Sequence, residues 1–378
     1  MASCPKAAIE MKEDAEGFLR PFINSDICIG CKKCLNVCPV LNQSSKIAKN
    51  IVLPDCYAGI HKDEDILMKS SSGGAFSALA GEIFQLGGFV YGAAYGTNGK
   101  IEHTKASSIE ELQAMRGAKY AHSSAASAYK KVKEDLKSGH YVLFTGTPCQ
   151  VLGLKRFLGD KLAESDLLYT CDIICHGMMP SRLYHGYLEY HGTKDNKVTR
   201  VDFRYKEKGI KGTRSKLIYE NGDSVILPNK KDFYHDALVS DFCLRESCYN
   251  CQASQLPRAA DITIGDFWGI NEVLPQIDDS TGVSVIFFHS DKAKQLVTKL
   301  ETSMHLWEVS FNQAVKNNPS FWYSPLRYPI REQFLHRLMT KGYKGSVLHY
   351  FNRSAFKQFT YSSARVLLSV FRNLTKRK

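Results

Sequence analysis

The chain has 378 residues, 44% of them hydrophobic and 23% charged, with twelve cysteines and a formal net charge of +12. That length suggests two or three domains with ample cores, and the cysteines are too sparse for a disulfide scaffold; no charged-then-apolar leader opens the sequence, so the cytoplasm is the expected compartment. No apolar run approaches the roughly 18 to 20 residues of a membrane span, and the basic residues are scattered without a nucleic-acid motif, so acidic protein partners are expected in place of DNA or RNA.

The first organised segment, residues 1–42, holds Cys4-Pro5 and then Cys28-Ile-Gly-Cys31-Lys-Lys-Cys34-Leu-Asn-Val-Cys38-Pro39. Three cysteines at steps of three followed by Cys-Pro match the bacterial 4Fe-4S ferredoxin run, which wraps three thiolates round one cubane and takes the fourth from a distant Cys-Pro. By that rule Cys4 completes the cluster of Cys28, Cys31 and Cys34, and Cys38 belongs to another cluster whose remaining ligands would precede Met1. The module thus reads as an incomplete ferredoxin domain. A structural zinc site is the bland alternative, although zinc knuckles usually come as two C-x-x-C pairs a dozen or more residues apart.

A polar linker is expected over 43–50, and alternating strands and helices follow. Strands are predicted over 56–60 and 88–94, with a helix over 75–86 between them that is entered through Ser72-Gly73-Gly74. Ser108 with Glu111 three residues on is a capping-box signal for a helix over 108–115. A buried strand over 141–144 runs into Thr145-Gly-Thr-Pro-Cys149 and a helix to 158; a second, over 167–174, stops at Cys175-His176-Gly177. A further strand near 260–265 ends in the Gly-flanked loop Gly265-Asp266-Phe267-Trp268-Gly269. The pattern is that of an α/β (mixed α+β) core. From 353 on, the tail carries seven Lys or Arg and no acidic residue; a basic terminal helix, open to peripheral membrane contact, is expected there.

Cys149 and Cys175 each follow the carboxyl end of a predicted strand, the edge at which open α/β sheets bind ligands. Cys248-Tyr-Asn-Cys251 adds a C-x-x-C pair. Spacing leaves a second cluster, a zinc site and a redox dithiol open, with Cys171 and Cys243 as alternative ligands.

Ser71-Ser72-Gly73-Gly74-Ala75, Gly117-Ala118-Lys119-Tyr120, Gly146-Thr147-Pro148-Cys149-Gln150, Cys175-His176-Gly177, Phe203-Arg204-Tyr205-Lys206, Cys248-Tyr-Asn-Cys251 and Gly265-Asp266-Phe267-Trp268-Gly269 occur in one order. Together they resemble the coenzyme F420 hydrogenase/dehydrogenase beta-subunit family, over roughly residues 56 to 290 and behind the ferredoxin module that many members carry. The resemblance implies an iron-sulfur flavoprotein with FAD, an inner 4Fe-4S cluster on Cys149, Cys175, Cys248 and Cys251, and FAD near Ser72, Gly73, Gly74, Lys119 and Tyr120. Glycines at a helix start expose backbone amides to a diphosphate, and Lys119 and Tyr120 would add charge and a stacking face. Asp266, Trp268 and Lys206 are the candidate catalytic residues, with Arg204 beside them. Two segments depart from the family pattern: Gly117-Ala118 replaces a glycine-serine, and Glu207-Lys208-Gly209-Ile210-Lys211 replaces a segment that often carries Gly-Trp.

The domains expected are 1–42, ferredoxin-type; 50–140, the first part of the family domain with FAD; 141–310, its second part with the inner cluster; and 311–378, a helical basic tail. The function expected is an oxygen-sensitive oxidoreductase passing electrons between ferredoxin or a deazaflavin and a substrate. An electron-transfer subunit without a substrate site, and a zinc-binding adaptor, are the alternatives.

Overall fold

The structure is a computed structural model that describes residues 1–41, 52–207, 210–228, 232–277 and 280–351. The expected linker at 43–50, the basic tail from 353 and Lys208-Gly209 lie outside the described residues. The main sheet has eight strands in the order β13-β3-β12-β11-β7-β6-β4-β5. These are β3 (Asp55–His61), β4 (Phe89–Tyr95), β5 (Ile101–Ala106), β6 (Val142–Gly146), β7 (Leu168–Ile173), β11 (Ile262–Asp266), β12 (Ser284–Phe288) and β13 (Met304–Val309). Strands β4, β6, β7 and β11 run parallel, and antiparallel β5 closes one side and β12, β3 and β13 the other.

Sequence period explains why this sheet is covered on both faces. In β6, Leu143 packs on one side with the Ala75–Gln85 helix, while Val142 and Phe144 pack on the other with the Ala126–Lys137 and Pro148–Leu158 helices. A strand buried on both faces reads as a continuous apolar run, which is why β6 and β7 were legible in the sequence. Because β3 and β4 lie in the same sheet as β6, β7, β11 and β12, residues 50–140 and 141–310 build one folding unit.

A second sheet stacks β8 (Val198–Glu207), β9 (Ile210–Tyr219) and β10 (Ser224–Ile226) antiparallel. It packs Val201, Phe203 and Leu217 into a core shared with the Ser181–His191, Phe233–Val239 and Arg331–Tyr350 helices. The N-terminal module is a hairpin of β1 (Ile9–Glu13) and β2 (Leu19–Ile23) followed by the cysteine loop. Phe18, fully buried, plugs the hairpin into that second core, and Arg331 forks onto Glu16 with two 2.7 Å bonds.

The capping signal at Ser108 resolves differently from its expected form. Ser108 Oγ does accept from the Glu111 amide, but the Glu111 carboxylate turns back to the amide and hydroxyl of Ser107, and the helix stops at Leu112. Among the described residues no helix is long and apolar enough to cross a membrane.

Candidate functional site

Cys4, Cys28, Cys31 and Cys34 line one cavity of about 30 Å³ whose other walls include Ala8, Ile9, Ile23 and Ile29. Cys38 is not among its lining residues. The donor chemistry suits a cubane: Ala8 N donates to Cys4 Sγ at 3.3 Å, and that amide first, then Lys6's, holds the Cys4 thiol below its usual range. Lys32 takes a left-handed backbone (φ 56°) and Gly30 another (φ 65°), which lets the loop curl around the cavity.

The inner cysteines gather at the carboxyl edge of the parallel strands. Gly146 of β6 lies in register with Asp172 of β7, so the segments that leave these strands emerge side by side; one carries Cys149 and the other Cys175. Cys149 stands in the first turn of the Pro148–Leu158 helix, whose start is fixed by a capping box between Thr147 and Gln150. Cys248 closes a short turn from Arg245, and the Cys251 amide donates to Ser324 Oγ at 3.0 Å. The charges of Cys149, Cys248 and Cys251 all bear on Cys175, which puts the four thiols in one neighbourhood.

Burial pushes the Cys248 thiol up to about 11 and shifts Cys149 and Cys175 the same way. Cys149 is nevertheless reachable by solvent, which places it at the mouth of a recess in otherwise dense protein. Thiols raised in this way are held as thiolates when positive charge is brought among them, and Arg245 already acts on Cys149 and Cys248 in that sense. Among the described residues no three His, Cys, Asp or Glu side chains converge on a single ion. Cys56, Cys171 and Cys243 are fully buried among apolar side chains, and Cys171 and Cys243 belong to the core instead of the inner set.

The next strand along the same edge is β11, which ends at Asp266, and there a cleft of about 440 Å³ opens. Ser71, Arg204, Lys206, Asp266, Trp268 and Gly282 contribute to its lining, together with His235 and Asp236. Arg204 Nη2 pairs with Asp266 Oδ2 at 3.0 Å, its Nε donates to Ser71 O at 3.3 Å, and its guanidinium lies 5.7 Å from the Trp268 ring centre. Trp268 is 54% exposed, so its face is open to the cleft and not used for packing. Tyr120 stands against Phe203 at 5.4 Å and near Arg204, behind the cleft's lining residues and not among them.

Five predicted site residues are placed for structural work. Lys206 donates to Leu67 O and Ser72 O at 2.8 and 2.7 Å, so its ammonium ties β8 to the Ser72 turn; burial pulls it down to about 8. Lys119 gives its ammonium to the carbonyls of Met115, Arg116 and Gly117, and burial pulls it down to about 7. Gly73 is packed so tightly that a Cβ would lie 2.1 Å from Gly59 O, and Gly74 starts the helix with a left-handed φ of 89°. Ser72 Oγ donates to Val283 O at 2.9 Å.

Sequence reasoning missed Arg245, Arg156, His235 and Asp236. Arg245 lies three residues before Cys248, a spacing that could have flagged it; the others carry no local signal.

Residues 1–42 match the family described as "4Fe-4S dicluster domain", and residues 139–313 match the family described as the C terminus of the "Coenzyme F420 hydrogenase/dehydrogenase, beta subunit". The search of curated proteins found no match. Among solved structures the chain is similar to one from the "Xenon derivatization of the F420-reducing [NiFe] hydrogenase complex from Methanosarcina barkeri", at 17% identity over 81% of this chain and 93% of that one, with a TM-score of 0.46. By these matches the chain carries, over residues 139–313, the C-terminal domain of the coenzyme F420 hydrogenase/dehydrogenase beta-subunit family, behind a 4Fe-4S dicluster domain over residues 1–42.

Proposed function

We propose that this chain is an iron-sulfur flavoprotein oxidoreductase that passes electrons between a reduced carrier, ferredoxin or a deazaflavin, and a substrate bound in the cleft. The observation that carries this reading is the shared strand edge. β6, β7 and β11 deliver Cys149, Cys175 and Asp266 in order, so the inner thiols and the cleft are neighbours.

Cys4, Cys28, Cys31 and Cys34 would hold the N-terminal cluster, and Cys149, Cys175, Cys248 and Cys251 the inner one. Cys38 would serve a further cluster of the dicluster module. FAD fits the cleft by the chemistry of its walls: Trp268 offers an open aromatic face, Arg204 and Arg214 offer cations, and Ser71 and Gly282 bring the Ser72 turn to its rim. FAD supplies the exchange between two-electron and one-electron chemistry. The chain's own contribution is to orient a planar ring against Trp268, to hold Arg204 in place through Asp266 and Ser71 O, and to keep a protonable carboxyl, Asp236, in the lining of the same cleft. The carrier would dock at the N-terminal module, where Cys28 and Cys31 are exposed and Lys32 and Lys33 supply positive charge toward an acidic protein.

The test is iron, acid-labile sulfide, zinc and flavin per chain on protein purified without oxygen, for wild type, Cys31→Ser and Cys251→Ser. Cys31→Ser should lose N-terminal iron and keep the flavin. Cys251→Ser should lose inner iron and slow flavin reduction. Zinc without sulfide or flavin in wild type would sink the reading in favour of an adaptor. Iron and sulfide without any flavin would leave an electron-transfer subunit with no substrate site.

A further inference from the structure

Arg245 is a partly buried cation placed between the N-terminal module and the inner cysteines. Its Nη2 donates to Leu19 O of β2 at 2.9 Å, and its guanidinium lies 5.5 Å from the ring centre of Phe18, the residue that plugs the hairpin into the core. Its backbone is equally committed. Arg245 N donates to Met178 O and Arg245 O accepts from Cys248 N, both at 2.8 Å, so the residue joins the loop after Cys175 to the turn that carries Cys248. Its Nε is buried without a hydrogen-bond partner. Leaving a guanidinium N–H unpaired in the interior is costly unless something accepts from it, and the charges that act on it include Cys248 and Cys149.

Asp14 also acts on this charge, but less than Cys248 and Cys149 do, and it is shared with Arg20. Glu246 is engaged by Arg327 and Arg331. The opposite charges that act most on Arg245 are therefore those of two inner cysteines, while its Nη2 is held by a carbonyl of the N-terminal module.

We propose that Arg245 couples the electron affinity of the inner cluster to the seating of the N-terminal module. This rests on the reading that Cys149, Cys175, Cys248 and Cys251 hold an iron-sulfur cluster. Reduction adds one negative charge to a cluster, and a fixed cation within the same dry recess favours the reduced form. With the module seated, Leu19 O and the Phe18 ring hold the guanidinium against the cysteines. With the module displaced, that hold is gone and the arginine can turn to water. The inner cluster thus accepts an electron most readily when the module that would deliver it is docked. Arg245 is a positioning residue in this scheme; it is neither a ligand nor a contact of the substrate cleft.

The experiment is an EPR-monitored redox titration of the anaerobically purified full chain as wild type, Arg245→Gln and Glu16→Gln, with iron and sulfide measured on each. Arg245→Gln should keep its iron and shift the inner cluster's one-electron equilibrium about tenfold toward the oxidised form, a fall of about 59 mV, with the N-terminal signal unmoved. Glu16→Gln weakens only the Arg331 clamp on the module and should shift the inner signal the same way by less, which keeps the test alive if Arg245→Gln fails to load. An inner potential unmoved in every variant that loads overturns the proposal. A wild-type chain with no inner signal and only the N-terminal iron overturns the underlying cluster assignment, and the proposal with it.

Discussion

Arg156 donates from Nη1 to the carbonyl of Cys38 at 2.9 Å. The helix that bears Arg156 in its last turn bears Cys149 in its first, so one rigid element touches the N-terminal cysteine loop at one end and presents an inner thiol at the other. A helix of that length transmits position with little play, because each residue is fixed by the turn before it.

Arg156→Met should keep the aliphatic stem and lose the bond. A hydrogen bond with a charged donor is worth about 1.5–3 kcal/mol, and a loss of that order should appear as faster amide exchange around Cys38 while the core strands keep their protection. Unaltered exchange in the cysteine loop would show that the contact does not anchor the module.

Gly73→Ala should destabilise the whole chain. The new methyl would lie 2.1 Å from Gly59 O and 2.5 Å from Ser284 N, both backbone atoms of the central sheet that cannot step aside. A cost of about 3 kcal/mol is expected from overpacking at such a site. Ser72→Ala, one residue earlier, loses a single hydrogen bond to Val283 O and should cost about 1 kcal/mol. Thermal denaturation of the pair separates the two costs, and equal melting temperatures would refute the packing argument.

Trp268→Ala should reduce flavin content and leave iron untouched. The ring is exposed toward the cleft, so its removal costs the fold little while a stacked planar ligand loses about 1 kcal/mol beyond area burial. Flavin released on dilution, followed by fluorescence, reads this directly. Retention equal to wild type would move the flavin away from this wall.

Asp236 sets a pH dependence with a definite sign. Burial, and then the charge of Asp232, push its carboxyl up to about 6. The folded chain then holds a proton that the unfolded chain releases near pH 4, so this group's contribution falls as pH rises between about 4 and 6. Asp236→Asn removes the penalty and should gain about 1 kcal/mol at neutral pH, after allowance for solvent screening, with no gain below pH about 4. Denaturant titrations at the two ends of that window check it; a gain that does not change with pH would contradict it.

The amino-acid sequence alone determined the chemistry and the frame. The C-x-x-C-x-x-C run named its metal, the apolar runs of β6 and β7 marked strands buried on both faces, and Gly73-Gly74 marked a helix start, because each signal is local and reads the same wherever the segment lies. Tertiary structure decided which polar groups remain free. Lys119 and Lys206 have the composition of ligand-binding residues, yet their ammoniums are taken by carbonyls contributed by turns folded onto them. Arg245, Arg156, His235 and Asp236 gained their positions from strands and loops far away in the sequence, as when Leu19 O reaches Arg245 across 226 residues. A side chain's type is written in one residue, whereas its partners depend on sheet order and register, and those are set by the burial of the whole chain at once.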